Sequence, residues 1–76
     1  MERVTMSDCS VRVIAFIEGI MAAEALIEWA REAMGAREMP KDEHKQIMEL
    51  LQDISMSNPS TLHQAIKHYK KLIQIP

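Results

Sequence analysis

One cysteine, two glycines and three aromatic residues are all that this 76-residue chain holds of those types, and each scarcity removes a class of structure. Cys9 alone cannot form an internal disulfide, so a small scaffold stapled by cystines is excluded and a reducing compartment is expected. With only Phe16, Trp29 and Tyr69 as aromatics, and few alternating apolar runs, a β-sheet has little to build on. The small share of glycine and proline, beside abundant apolar residues, sets the chain apart from disordered linkers. No phosphate-cradling glycine loop, nucleophile elbow or kinase-type signature is present.

Metal ligation is equally thin. His44 stands alone on its segment, and His63 and His68 are five residues apart, so they cannot share an ion as an i, i+4 pair does. Glu24, Glu28 and Glu32 do line one helical ridge, yet the Glu-x-x-His motif that completes carboxylate metal sites in helical bundles is missing. No metal, no cofactor and no enzymatic activity are therefore expected. Cys9 falls near the start of a helix, where a lowered thiol pKa is one reading and an unreactive thiol the other.

What the chain does have is a long helical pattern over Val11–Met34, VRVIAFIEGIMAAEALIEWAREAM. Val13, Ile14, Phe16, Ile17, Ile20 and Met21 cover nearly half of the circumference in its first part, wider than the stripe of an ordinary surface helix. In its second part the apolar residues Leu26, Ile27, Trp29, Ala30 and Ala33 move to the opposite side. Read as one helix, the segment has more apolar surface than a single short hairpin covers. Arg12, Glu18, Glu24 and Glu28 exclude a membrane span through it.

Ser7 or Ser10 is expected to cap this helix, with Asp8 near its positive end, and Gly35 to close it in the left-handed conformation. Residues 35–40 form a loop. Pro40, Asp42 and Glu43 suit the entry of a second helix whose apolar positions are Ile47, Met48, Leu50, Leu51 and Ile54. In SNPSTL, Asn58 is placed as the N-cap and Pro59 as the first residue of a third helix. Its buried side comprises Leu62, Ala65, Ile66, Tyr69, Leu72 and Ile73.

Charge is unevenly spread. Residues 1–38 hold seven acidic and four basic residues, residues 39–58 four and two, and residues 59–76 three lysines and no acid, for a total of −2. Such asymmetry can steer a partner or let two subunits face each other. The opening MERVTMSDCS lacks a basic, then apolar, then small-residue pattern, so a cytoplasmic location is expected.

The segment 51–66, LQDISMSNPSTLHQAI, resembles the helix-turn-helix of lactose-repressor-type regulators, chiefly through NPSTLHQAI. The resemblance implies that Pro59, Ser60 and Gln64 address base edges, with Lys67, Lys70 and Lys71 on phosphates. The segment departs from that pattern at Gln52, Met56 and Ser57.

These features lead to a single all-α domain over residues 1–76: a long first helix with two shorter helices as a hairpin on it. A chain of this size buries only about 60% of its unfolded surface, and a second copy is the remaining way to enlarge the core. The expectation is a homodimeric helical bundle without membrane contact, a non-enzymatic regulator or inhibitor that grips an unidentified protein. DNA binding is the alternative. Ile14, Ile17, Ile20, Met21 and Ile27 are the expected subunit contacts, and Glu24, Glu28, Trp29, Arg31 and Glu32 the expected partner patch, with a place in the core as the other reading of Trp29. Seven methionines add adaptable contact surface.

Overall fold

The chain does not form one long helix between Val11 and Met34. The computed structural model describes residues 2–69, and within them the helices are α1 (Met6–Ile17), α2 (Ala23–Ala33), α3 (His44–Met56) and α4 (Leu62–Lys67). The break lies at Gly19, whose φ of 81° belongs to the left-handed region that a residue with a Cβ enters only with strain. Around it the chain turns tightly. The N–H groups of Ile20 and Met21 both donate to the Ala15 carbonyl, at 2.8 and 3.1 Å, closing the end of α1.

This break explains the apolar face that swings along the sequence. Each of α1 and α2 has its own stripe, and the two stripes belong to separate helices. Cys9, Val13 and Phe16 form the buried side of α1; Leu26, Ile27, Trp29, Ala30 and Ala33 form that of α2. The expected three-helix count thus becomes four among the described residues, in a fold that remains all-α.

Thr5 caps α1, rather than Ser7 or Ser10. Its hydroxyl accepts from the Asp8 N–H at 3.2 Å, while the Asp8 carboxylate accepts from the Thr5 N–H at 3.0 Å, a reciprocal capping box. The Met6 N–H, a further free donor of the first turn, donates to Glu43 Oε1 at 3.2 Å and so ties the start of α1 to the entry of α3. Ahead of α1, the Glu38 N–H donates to the Glu2 carbonyl and the Val4 N–H to the Glu38 carbonyl, at 2.9 and 3.0 Å. This isolated parallel bridge between Arg3 and Glu38 is the only extended pairing among the described residues, and it lets Val4 enter the core.

Gly35 does not have the left-handed conformation expected of it; Gly19 is the glycine with positive φ. Successive short turns end α2 instead, with Gly35 and Ala36 donating to Glu32 and Ala33. The α2 helix packs most extensively on α3. The two run antiparallel, because the start of α2 lies beside Ser57–Pro59 and its end beside Met48. The buried side of α3 is Ile47, Leu50, Leu51 and Ile54, in the helical period of the sequence.

Thr61, rather than Asn58, is the N-cap of α4, and Pro59 lies in the turn before the helix; Asn58, four residues ahead of Leu62, anchors that turn instead. Its side-chain oxygen accepts from the N–H groups of Ser60 and Thr61, both at 3.0 Å, and organises a turn over 58–61 before Leu62 opens the helix. Leu62 and Ile66 then seal the core against α3. Leu72 and Ile73, assigned by periodicity to the same buried side, lie outside the described residues. No helix among the described residues is long and apolar enough to cross a membrane.

Candidate functional site

The outer face of α1 is where apolar side chains are left uncovered. Val11, Ile14, Ala15 and Glu18 share one ridge by their three- and four-residue spacing, with Ile17 beside them. Val11 is 60% exposed and Ile17 39%, while Ile14 and Ala15 are half-buried. Ile20, in the turn after α1, is 77% exposed, and Met56, at the end of α3, is 85% exposed. The antiparallel α2–α3 arrangement brings Ile20 and Met56 to the same end of the molecule, since the turn that carries Ile20 leads directly into α2.

Of the five expected subunit contacts, the structure therefore leaves Ile17 and Ile20 open, Ile14 half open, and Met21 packed partly against the core. Ile27 is a correction: it is only 7% exposed and belongs to the chain's own core. Val11 is the residue that sequence reasoning passed over. Its signal was its ridge position relative to Ile14 and Ala15, visible once α1 is treated as ending before Gly19.

The expected partner patch separates into parts. Glu24, Glu28 and Arg31 meet Ser57, Asn58 and Pro59 around an open recess of about 390 Å³ between α2 and the turn before α4. Glu32 is exposed on the same helix but does not line that recess. Trp29 takes the core position, the second of its two readings. It is 8% exposed, inside the core, with the Arg12 guanidinium carbon 4.7 Å from its ring centroid. The cation covers the aromatic face, so the indole is not presented to a partner.

A second recess, of about 400 Å³, lies at the other end of α2, where the loop 36–39 meets α3 and the N-terminal arm. Arg3, Arg37 and His44 stand around it, and Met34, Met39 and Met48 line it. Glu38 lines it too, its carboxylate 3.4 Å from the Arg3 guanidinium, and Glu2 stands in the adjoining hollow beside Arg3, Arg37 and Glu38. Sequence reasoning did not find this recess, because its parts come from three separate stretches of chain.

The residues named for nucleic-acid contact are also divided. Ser60, Gln64 and Lys67 are exposed. Ser60 lies in the turn rather than on a helix, and its hydroxyl donates to Asn58 Oδ1 at 2.6 Å. Beside them on α4, the His63 ring packs against Phe16 of α1 at a 41° tilt with centroids 4.6 Å apart. Lys70 and Lys71 lie outside the described residues.

The remaining chemistry is quiet. The Cys9 thiol is fully enclosed, and burial, helped by the nearby Asp8 carboxylate and opposed by Arg12, pushes its pKa up to about 12. That is the reverse of the activation possible at a helix start. Tyr69 is likewise pushed up to about 12, by desolvation and then by its hydrogen bond to the Asp53 carboxylate. No group of three histidine, cysteine, aspartate or glutamate side chains converges as metal ligands would among the described residues. No family model, curated protein or solved structure matches this chain.

Proposed function

We propose that the chain is a small non-enzymatic regulatory or inhibitory protein that works as a homodimer by binding another protein. The observation that carries this reading is the set of large apolar side chains left open on and beside α1: Val11, Ile17 and Ile20. Covering side chains of this kind favours association by about 1.5–3 kcal/mol each when burial is complete. Several must act together to overcome the roughly 4–15 kcal/mol cost of immobilising two molecules. Val11, Ile14, Ala15 and Ile17 on each of two copies provide that number.

A two-fold axis pairs a surface with itself, so two copies of α1 would lie antiparallel with Ile14 and Ala15 at the centre. Ala15 is small enough for the helices to approach closely there.

Cross-linking tests the arrangement. In a Cys9→Ala background, Ala15→Cys is expected to form an interchain disulfide under mild oxidation much faster than Glu32→Cys on α2. Equal rates at the two positions would remove α1 as the contact.

DNA binding through 58–67 has weaker support. The Ser60 hydroxyl is already engaged by Asn58, and the residue lies in a turn before the short α4.

A further inference from the structure

The recess at the end of α2 differs in kind from the open apolar face of α1, and it carries a separate conclusion. Three flexible thioether side chains, Met34, Met39 and Met48, line it, with Arg3, Arg37 and His44 around them. Two carboxylates stand nearby: Glu38, which lines the recess and is opposed by Arg3, and Glu2, which lines the adjoining hollow with Arg3, Arg37 and Glu38. The charge of Arg37 is left without a counterpart among the hydrogen bonds and ion pairs of the described residues.

We infer that this recess binds an acidic segment of a partner protein, seating a bulky aliphatic or aromatic side chain on the methionines and its neighbouring carboxylate on Arg37. The inference rests on the reading that the chain acts by binding another protein, and it supplies the chemistry of that partner.

Three observations support the assignment. The volume, about 400 Å³, lies at the lower end of the range of pockets that enclose small ligands, enough for one large side chain and an adjoining carboxylate. Methionine side chains have three rotatable bonds and a polarisable sulfur, so they adjust to aliphatic and aromatic shapes alike. The Arg3–Glu38 pair is long, at 3.4 Å, and both side chains are well exposed, so an incoming carboxylate loses little by displacing Glu38 from Arg3. A guanidinium also offers a carboxylate two parallel N–H donors.

The wall of the recess is held in place beforehand. Glu38 is bonded through both its N–H and its carbonyl to the N-terminal arm, which fixes the loop that carries Arg37 and Met39 on either side of it. His44 and Met48 are one turn apart on α3 and so face the same way. The segment that docks therefore meets a preformed frame with adaptable thioethers inside it.

The test is a titration of the full chain, labelled with ¹³C at the methionine methyl groups, with an acetylated and amidated hexapeptide of alternating leucine and glutamate. The methyl signals of Met34, Met39 and Met48 are expected to shift together, while that of Met21, ahead of the opposite end of α2, stays in place. Replacing glutamate in the peptide by glutamine, or Arg37 by glutamate in the protein, is expected to weaken binding by about tenfold or more. Arg37 is exposed, so Arg37→Glu retains the fold, and the unchanged remainder of the spectrum verifies this.

Absence of a shift at the three methyls overturns the inference, as does equal affinity for the glutamate and glutamine peptides or undiminished binding by Arg37→Glu. Shifts confined to Met21 also overturn it, by moving the contact to the opposite end of α2. Association state is read separately: a dimer that ignores the peptide overturns this inference alone, and a monomer that binds it overturns the dimer alone.

Discussion

The guanidinium of Arg12 on α1 covers the ring of Trp29 on α2, 4.7 Å from its centroid, and at this contact Arg12 Nε and Trp29 Nε1 are both enclosed without a hydrogen-bond partner. Two effects oppose each other here. A cation over an indole contributes about 0.5–2 kcal/mol, whereas each unsatisfied buried donor costs about 1–3 kcal/mol. Arg12→Met keeps the aliphatic cover while removing the charge and one orphaned donor, so its unfolding free energy in urea is expected within about 1 kcal/mol of the wild type. Arg12→Ala also uncovers the ring and is expected to lose about 1–2 kcal/mol. A larger loss from methionine than from alanine would contradict this account of the contact.

The two glycines are expected to respond in opposite directions to the same substitution. Gly19→Ala forces a Cβ into the left-handed region and should destabilise the fold by about 1–2 kcal/mol, although nothing lies within 4 Å of the added atom. At Gly35 the added Cβ meets the Glu32 carbonyl at 3.5 Å, an ordinary contact, and φ is not positive. Gly35→Ala should therefore stabilise by about 0.4–1 kcal/mol through the unfolded chain. Denaturant midpoints of the two variants, measured side by side, decide the matter.

That contrast also shows what the sequence made legible. The all-α class, the end of α2 capped by Met34 and the buried side of α3 could be read from residue type and spacing, whereas α4 starts later than SNPSTL suggests, because Asn58 holds residues 59–61 in a turn before Leu62 opens the helix. The break at Gly19 could not be read from propensity, since a glycine inside a helix costs only about 1 kcal/mol and is often tolerated. The swing of the apolar face at that point was its visible trace, yet one continuous helix and two helices share the same local pattern. Ile27 moved from expected surface to core, and Trp29 resolved to the core of its two readings, for this reason: their side of α2 could be placed only after the turn was known. The recess around Met34, Met39 and Met48 depends on the Arg3–Glu38 bridge, a pairing between distant residues that no local period announces.

The turn before α4 rests on one side chain. Asn58 Oδ1 accepts from the Ser60 and Thr61 N–H groups and the Ser60 hydroxyl, so Asn58→Ala should cost about 1 kcal/mol. Asn58→Asp keeps the acceptor and should retain most of that stability. Equal losses from both would show that the acceptor is not what matters.

Alkaline pH should unfold the chain through two residues. Cys9 and Tyr69 are each pushed up to about 12 in the folded state, from ordinary values of 9.0 and 10.0. Their protonated forms are thus favoured by folding, and the associated stability is complete below about pH 9 and falls as pH rises toward 12. The urea midpoint should decline over that window. Cys9→Ala should flatten the earlier part of the decline and Tyr69→Phe the later part. In the same experiment a thiol reagent at pH 8 should label Cys9 only at the rate at which the chain opens, because the sulfur is enclosed.

The most direct measurement is sedimentation equilibrium of the wild type over a wide concentration range, beside Val11→Lys and Ile17→Lys. Both side chains are already exposed, so the variants should fold as the parent does. The wild type is expected to pass from monomer to dimer as concentration rises, with either lysine variant shifted to monomer at concentrations where the parent is dimeric. A wild type that stays monomeric at every concentration, or lysine variants that dimerise as well as the parent, would contradict the account.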